Sequence, residues 1–307
     1  MNNPRIFTPT VSVVIPILNA EPYLPQLFEK IFAQELASVT EILLVDSGST
    51  DASVSLAEKQ DRTRVIEIKE FTHGGARNLG ARYATGDIVV FMTQDALPKN
   101  SEWLACLLQP FKDEKVAAVC SRQIPRSGAT PMEQFFLAKR FGNMAETRNL
   151  STLEKVGYED VLFSDVSCAV RREVLLRYPF DETLIMSEDQ QLSRDLIKAG
   201  YSVVYQPDSV VVHSHSYTLW QTFKRYFDSV CALRVIFKDQ DMRSSAAMGR
   251  RYVIEELKFI AKKYPLWLPY YFAYTTVKVM ATILAHHTHY LPRWVLCRIS
   301  MHSYHWK

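Results

Sequence analysis

An α/β fold built on a mainly parallel sheet flanked by helices is the architecture this sequence predicts, and three observations carry it. Short, apolar, β-branched runs alternate with segments whose apolar residues recur at helical spacing. Polar clusters follow those runs at Asn19, at residues 46–51 and at residues 93–95. The 307 residues, 48% hydrophobic and 22% charged, are enough to bury a core without disulfides, and they exclude disordered, collagen-like and coiled-coil chains.

Val11-Ser-Val-Val-Ile-Pro-Ile reads as a buried strand. Leu24, Leu27, Phe28, Ile31 and Phe32 then trace an amphipathic helix over 21–35. Glu41-Ile-Leu-Leu-Val is the second strand. It runs into Asp46-Ser-Gly-Ser-Thr-Asp51, where glycine permits a tight turn and Ser or Thr can cap the next helix. Residues 64–68 form a third strand, 75–85 a helix that Gly86 stops, and 87–92 a fourth strand. A helix over 101–111 and a fifth strand over 116–120 follow, then an irregular, aromatic stretch over 125–160 with a short helix. Residues 161–170, a helix over 188–199 closed by Gly200, and strands at 201–205 and 210–212 complete a first domain, 1–216. In such sheets ligands bind outside the carboxyl ends of the strands, so three strand ends are expected to converge on one crevice.

The remaining 217–307 reads as a helical C-terminal region, opened by a stripe through Leu219, Phe223, Tyr226, Phe227, Val230, Leu233 and Phe237. The net charge of +3 is unevenly spread. Residues 220–307 hold 14 Lys+Arg against 5 Asp+Glu, and 17 of the 36 aromatics. That suits either a helical appendage with an aromatic core or a surface that meets anionic lipid. Without a nucleic-acid motif, nucleic acid is not an expected partner. Residues 266–285 approach a spanning length but carry Pro269 and Lys278, so a helix lying in the interface with Lys278 toward water is expected. Five scattered cysteines, no CxxC, and a polar start without a signal peptide point to the cytoplasm.

Several residues could carry chemistry. Asp46 can accept a hydrogen bond from a pyrimidine ring N–H, or simply make a turn and cap. His73-Gly-Gly-Ala-Arg-Asn-Leu-Gly80 sets backbone N–H groups and the Arg77 guanidinium at a helix start, as a phosphate site would, although the glycines would equally serve close packing. The loop after the first strand lacks the GxGxxG of a nicotinamide or flavin enzyme. Asp95, after an apolar strand, can bind Mg²⁺ or Mn²⁺. His213 and His215 end the last strand, and either could be a second ligand. Glu188 and Asp189 open a helix, where acids complement the dipole or supply a general base.

In order, Val-Ile-Pro-Ile-Leu-Asn, Val-Asp-Ser-Gly-Ser-Thr-Asp, Gly-Ala-Arg-Asn-Leu-Gly, Gln-Asp-Ala-Leu-Pro, Ser-Glu-Asp-Gln-Gln-Leu and Val-Val-His resemble the family 2 inverting glycosyltransferases of GT-A fold, over about residues 11–216. The Phe71–Gly80 stretch, Thr-Gln-Asp-Ala-Leu-Pro and His-Ser-His-Ser-Tyr-Thr-Leu look most like bacterial rhamnosyltransferases of surface polysaccharide (O-antigen) synthesis. The resemblance implies that Pro16, Asn19, Asp46, Ser49, Arg77 and Asp95 surround the donor nucleotide, dTDP- or UDP-linked and with rhamnose as the expected sugar. It implies that Asp95, with His213, holds a divalent metal, Mg or Mn, and that Asp189 is the base. The acceptor would be a hydroxyl of a glycan or a lipid-linked oligosaccharide, met by an enzyme peripheral to the inner face of the cell membrane. One departure stands out: the usual DxD reads Thr93-Gln94-Asp95, without its first acid. That leaves a catalytically inactive sugar-binding relative as an alternative, with a nucleotidyltransferase as another. Tyr83 and residues 125–160 are left to shape the sugar or acceptor pocket.

Overall fold

The computed structural model describes residues 8–34, 39–151, 157–238 and 242–307. Glu35, the expected end of the first helix, lies outside the described residues, as do residues 1–7 and residues 152–156 of the 125–160 stretch. The chain divides into two compact units. The first takes the described residues of Met1–Ile124, Phe141–Thr183 and Glu188–His213, and the second those of Pro125–Arg140, Leu184–Ser187 and Ser214–Lys307.

The first unit is built on one sheet. Its strands are β1 (Val11–Ile17), β2 (Val39–Asp46), β3 (Thr63–Glu67), β4 (Ile88–Met92), β5 (Leu97–Pro98), β6 (Val116–Ile124), β7 (Glu146–Arg148), β8 (Ser167–Arg171) and β9 (Ser202–Val212). Their order is β3-β2-β1-β4-β8-β6-β9-β5, with β7 also on β9. β1, β2, β3, β4, β6 and β9 run in one direction, and β5, β7 and β8 run against them. The mainly parallel sheet is therefore present, with a reversal at β8 that the spacing of apolar runs does not announce. The expected strands at 201–205 and 210–212 are one strand. The β6–β9 register jumps between Ser121↔Gln206 and Arg122↔Val210, and this bulge accommodates Pro207, which has no N–H to give a regular ladder.

β1 is buried on both faces, which is why its sequence is continuous rather than alternating. Val11, Val13, Ile15 and Ile17 share a core with Leu24, Leu27, Phe28 and Ile31 of the Leu24–Phe32 helix and with Trp103, Leu104 and Leu107 of the Trp103–Leu108 helix. Each such side chain is worth about 1.5–3 kcal/mol when fully buried. The other face meets the His73–Tyr83 helix, where a Cβ on Gly80 would run into the Val14 side chain. That helix starts two residues earlier than expected, because the Thr72 hydroxyl accepts the Gly75 N–H at 2.9 Å. It ends before Ala84, which is extended, so Gly86 is not its stop. A Cβ on Gly86 would lie 2.6 Å from the Ser12 nitrogen and 2.8 Å from the Val11 carbonyl carbon, so glycine is needed for close approach to β1. Gly86→Ala is expected to destabilise the protein by about 1–3 kcal/mol, the usual range for overpacking against a partner that cannot yield. A urea midpoint unchanged from wild type would contradict this.

The second unit is helical: Pro131–Arg140, Leu219–Ile236, Met242–Lys263, Leu268–His286 and Arg293–Ile299. The expected stripe holds. Phe223 and Phe227, with Tyr226 and Val230 beside them, pack on Ala281, Ala285, Leu296 and Ile299. Lys278 does not face water. It is buried, 3.7 Å from the equally buried Glu256 carboxylate, with its ammonium 4.7 to 5.1 Å from the ring centres of Tyr226, Tyr274 and Tyr252. A buried ammonium needs such partners, a carboxylate and aromatic faces together.

Candidate active site

Six parallel strands present their carboxyl ends at one edge of the sheet, and most of the expected residues gather there. Asn19, just past β1, has a left-handed backbone (φ 50°), and its side-chain oxygen accepts the Thr50 N–H at 2.9 Å. Its own N–H goes to the Ser49 hydroxyl at 2.9 Å. Asp46 ends β2, and its carboxylate accepts the N–H groups of Gly48 and Ser49 and the Ser49 hydroxyl. Gly48, at φ +103°, makes that turn possible. Pro16 lies on β1 opposite Val45. Asn19, Asp46 and Ser49 thus form one hydrogen-bonded rim. Gln94 extends it: the side-chain amide exchanges two hydrogen bonds with the Leu18 backbone, 2.9 and 3.2 Å, tying the β1 and β4 ends together.

Asp95 and His213 come together. The carboxylate Oδ1 lies 3.6 Å from His213 Nε2. The opposite ring nitrogen, Nδ1, is 3.0 Å from the Gln123 side-chain carbonyl, whose amide nitrogen in turn donates to Ser164 Oγ at 2.9 Å. In the neutral tautomer that gives its Nδ1–H to Gln123, Nε2 is the acceptor that faces the carboxylate. Two acceptors facing one another across 3.6 Å is the arrangement a shared cation would stabilise. At about 2.0–2.2 Å per bond, adjacent ligands of such an ion lie about 3 Å apart, so the pair fits a divalent metal with little adjustment. His215 falls in the second unit, stacked on Tyr217 at 4.9 Å, with its N–H directed at Glu133 at 3.5 Å.

Arg77 is held by acids. It is buried on the His73–Tyr83 helix, its Nη1 bonded to Glu188 Oε1 at 2.8 Å and to the His73 carbonyl at 2.9 Å. Its Nε is 2.8 Å from Asp165 Oδ2, an ionic contact lying off the N–H axis. Glu188 and Asp189 open the Glu188–Lys198 helix, which Gly200 (φ +91°) terminates as expected. The two acids differ. Glu188 is enclosed and committed to Arg77, whereas Asp189 is half-buried and accepts the N–H of Gln190, at 2.7 Å, and of Asp165, at 3.4 Å. Burial, reinforced by the Asp165 charge, holds both carboxyls well above the ordinary range, with Arg77 opposing the shift. Ser164 and Asp165 are consecutive, so the Asp95–His213 pair and the acid cluster are joined by one backbone step.

Asp165, Gln94 and Gln123 escaped the sequence reading. Asp165 stands two residues ahead of an apolar strand, a visible signal. It reaches this edge only because β8 runs antiparallel, with Ser167 opposite Met92. Tyr83 moves away instead. It sits ten residues into its helix, about 15 Å from the start, next to Arg64 at the amino edge of the sheet.

Comparisons with known proteins agree with this geometry. The model of Glycosyl transferase family 2 matches residues 12–178. The O-antigen chain rhamnosyltransferase RfbN of Salmonella typhimurium is 32% identical over 96% of this chain and 96% of its own length. WbaN of Salmonella anatum, another O-antigen chain rhamnosyltransferase, is 31% identical over 97% and 96%. Among solved structures, the mannosyltransferase PcManGT of Pyrobaculum calidifontis, in complex with GDP-Man and Mn²⁺, superposes with a TM-score of 0.62. It is 20% identical over 91% of this chain and 86% of that one. Staphylococcus aureus TarS 1-349 in complex with UDP gives a TM-score of 0.54 at 14% identity over 91% of each chain.

Proposed function

The chain belongs to glycosyltransferase family 2, and on that premise we propose that it transfers rhamnose from dTDP-rhamnose, with inversion, to a hydroxyl of a glycan or lipid-linked oligosaccharide at the inner face of the membrane. Nearly full-length similarity to two O-antigen rhamnosyltransferases supports the sugar and the acceptor class. The same similarity leaves the nucleotidyltransferase alternative without support.

Asp189 is the general base in this reading. The observation that carries it is the contrast within the pair: Glu188 is buried and bonded to Arg77, while Asp189 is half-buried and has no cation bonded to it among the described residues. Asp189 removes the acceptor proton as the oxygen attacks the anomeric carbon. The bond to the diphosphate breaks on the opposite side in the same in-line step, which gives inversion. Asn19, Asp46, Ser49 and Pro16 form the wall for the nucleotide, with Asp46 directed at a pyrimidine N–H. Asp95 and His213 would hold a divalent ion, and Gln123 orients the His213 ring. A bound Mg²⁺ or Mn²⁺ supplies charge neutralisation of the diphosphate leaving group. Arg77 positions Glu188 and Asp165 and does not itself meet phosphate.

Release of nucleoside diphosphate from dTDP-, UDP- and GDP-sugars, followed by NMR of the product's anomeric configuration, tests the activity. Retention of configuration would overturn the single-displacement reading. Asp95→Asn and His213→Ala are expected to weaken nucleotide-sugar binding in Mn²⁺ but not in chelator. Gln123→Ala should lower metal affinity about 10–100-fold, as loss of an orienting partner does. Equal calorimetric affinities with Mn²⁺ and with chelator would remove the metal from the site.

A further inference from the structure

We infer that the outward side of the Leu268–His286 helix is a docking surface for an anionic bilayer, on which the helix lies in the membrane plane. The helix is mostly apolar, yet only one side is covered. Tyr271, Lys278, Ala281 and Ala285 face inward. Phe272, Val279, Met280 and Ile283, which fall together on the opposite side, are each more than half exposed. Thr276 falls on the same stripe and turns its hydroxyl back to the Phe272 carbonyl at 2.9 Å, which leaves its methyl outward. The stripe is bracketed by aromatic residues of the kind that settle at a lipid–water boundary: Trp267 before it, Tyr290 and Trp294 after it, all exposed.

Charge selects the occupant. Lys262 and Lys263 precede the stripe, Arg293 and Arg298 follow it, and all four are exposed. Two copies meeting through this side in a two-fold contact would bring like charges together at both ends, whereas anionic headgroups would complement them. No helix among the described residues is long and apolar enough to cross a membrane, so the stripe lies on the bilayer. Because Lys278 is already turned inward onto Glu256 and the tyrosines, no charge interrupts the outward stripe. The purpose of the surface rests on the reading that the acceptor is lipid-linked, but its evidence is separate.

Flotation of the full chain with phosphatidylglycerol-containing and pure phosphatidylcholine vesicles, at low and high salt, tests the inference. Wild type is expected to float with the anionic vesicles, less so at high salt. Val279→Glu/Ile283→Glu should abolish flotation with an unchanged melting temperature. Lys262→Gln and Lys263→Gln should each lower the partition about fivefold. Brominated acyl chains should quench wild-type tryptophan fluorescence, and Trp267→Phe/Trp294→Phe should remove that quenching. Absence of wild-type flotation at low salt, or equal flotation of the Glu variant, overturns the proposal. A solution dimer dissociated by the same Glu substitutions, without flotation, would assign the stripe to a second copy. Nucleoside diphosphate release is measured in parallel without vesicles. Its absence in wild type would count against the transferase reading and leave the flotation result standing.

Discussion

Asp189→Asn is expected to lower turnover by about 10²–10⁴-fold, the usual contribution of a positioned base, while nucleotide-sugar affinity stays near wild type. Asn keeps the shape and can still accept the Gln190 N–H at its one carbonyl oxygen, giving up only the long 3.4 Å bond from the Asp165 N–H. What it lacks is the ability to take the acceptor proton. A second signature follows from environment. Burial, then the Asp165 charge, raises the Asp189 carboxyl above the ordinary value of 3.8. The base acts only when ionised, so turnover should fail as pH drops through that raised value, well before an exposed aspartate would be protonated. A pH–rate profile of the wild type checks this. Near-normal turnover in Asp189→Asn would move the role to Glu188.

Arg77→Met is expected to cost about 3–5 kcal/mol of stability, because it strips the cation from two buried carboxylates and leaves them facing one another. Methionine fills much of the volume, so the loss is electrostatic rather than a cavity. The pH dependence has a definite sign. Glu188 is raised above its unfolded value by burial and by Asp165. A raised carboxyl favours the folded state at pH below its ordinary value, and that contribution disappears as pH rises through the raised one. Arg77 limits the loss on the alkaline side. The variant should therefore lie closest to wild type near pH 5 and fall furthest behind at pH 8. Denaturant unfolding at the two pH values measures the difference, and an equal loss at both would show that Arg77 acts through packing alone.

Much of the fold is legible in the residues because β1, β2 and β4 are buried on both faces, and such strands must be continuous apolar runs. The rim of Asn19, Asp46 and Ser49 is legible for a related reason, since polar residues directly after such runs fall at the carboxyl edge of a parallel sheet. Strand direction is not written in composition, and the reversal at β8 is what hides Asp165. Gly86 is ambiguous in the sequence because a glycine after a helix looks the same whether it ends the helix or admits a neighbouring strand. The stretch over 125–160 resisted because it is shared: its Pro131–Arg140 helix groups with the C-terminal helices, and β7 joins the sheet. Lys278 was misplaced because a lone lysine in an apolar helix can either reach water or find a buried partner. Its partner, Glu256, comes from a different helix.

The bond between Arg77 and Glu188 links positions 111 residues apart in sequence. The strands β1 to β4 are complete by Met92 and can pair with one another while the rest of the chain is still being made. At about 5–20 residues per second, ribosomal synthesis leaves roughly 5–20 s between the emergence of Arg77 and that of its partner. Until Asp165 and then Glu188 emerge, the guanidinium is without its carboxylate partners, so the His73–Tyr83 helix cannot settle fully onto the early sheet. The acid cluster closes only on arrival of the Glu188–Lys198 helix. A nascent chain halted between the two would hold a well-formed parallel half with a cation still in water, and its last folding step would also be the one that assembles the base.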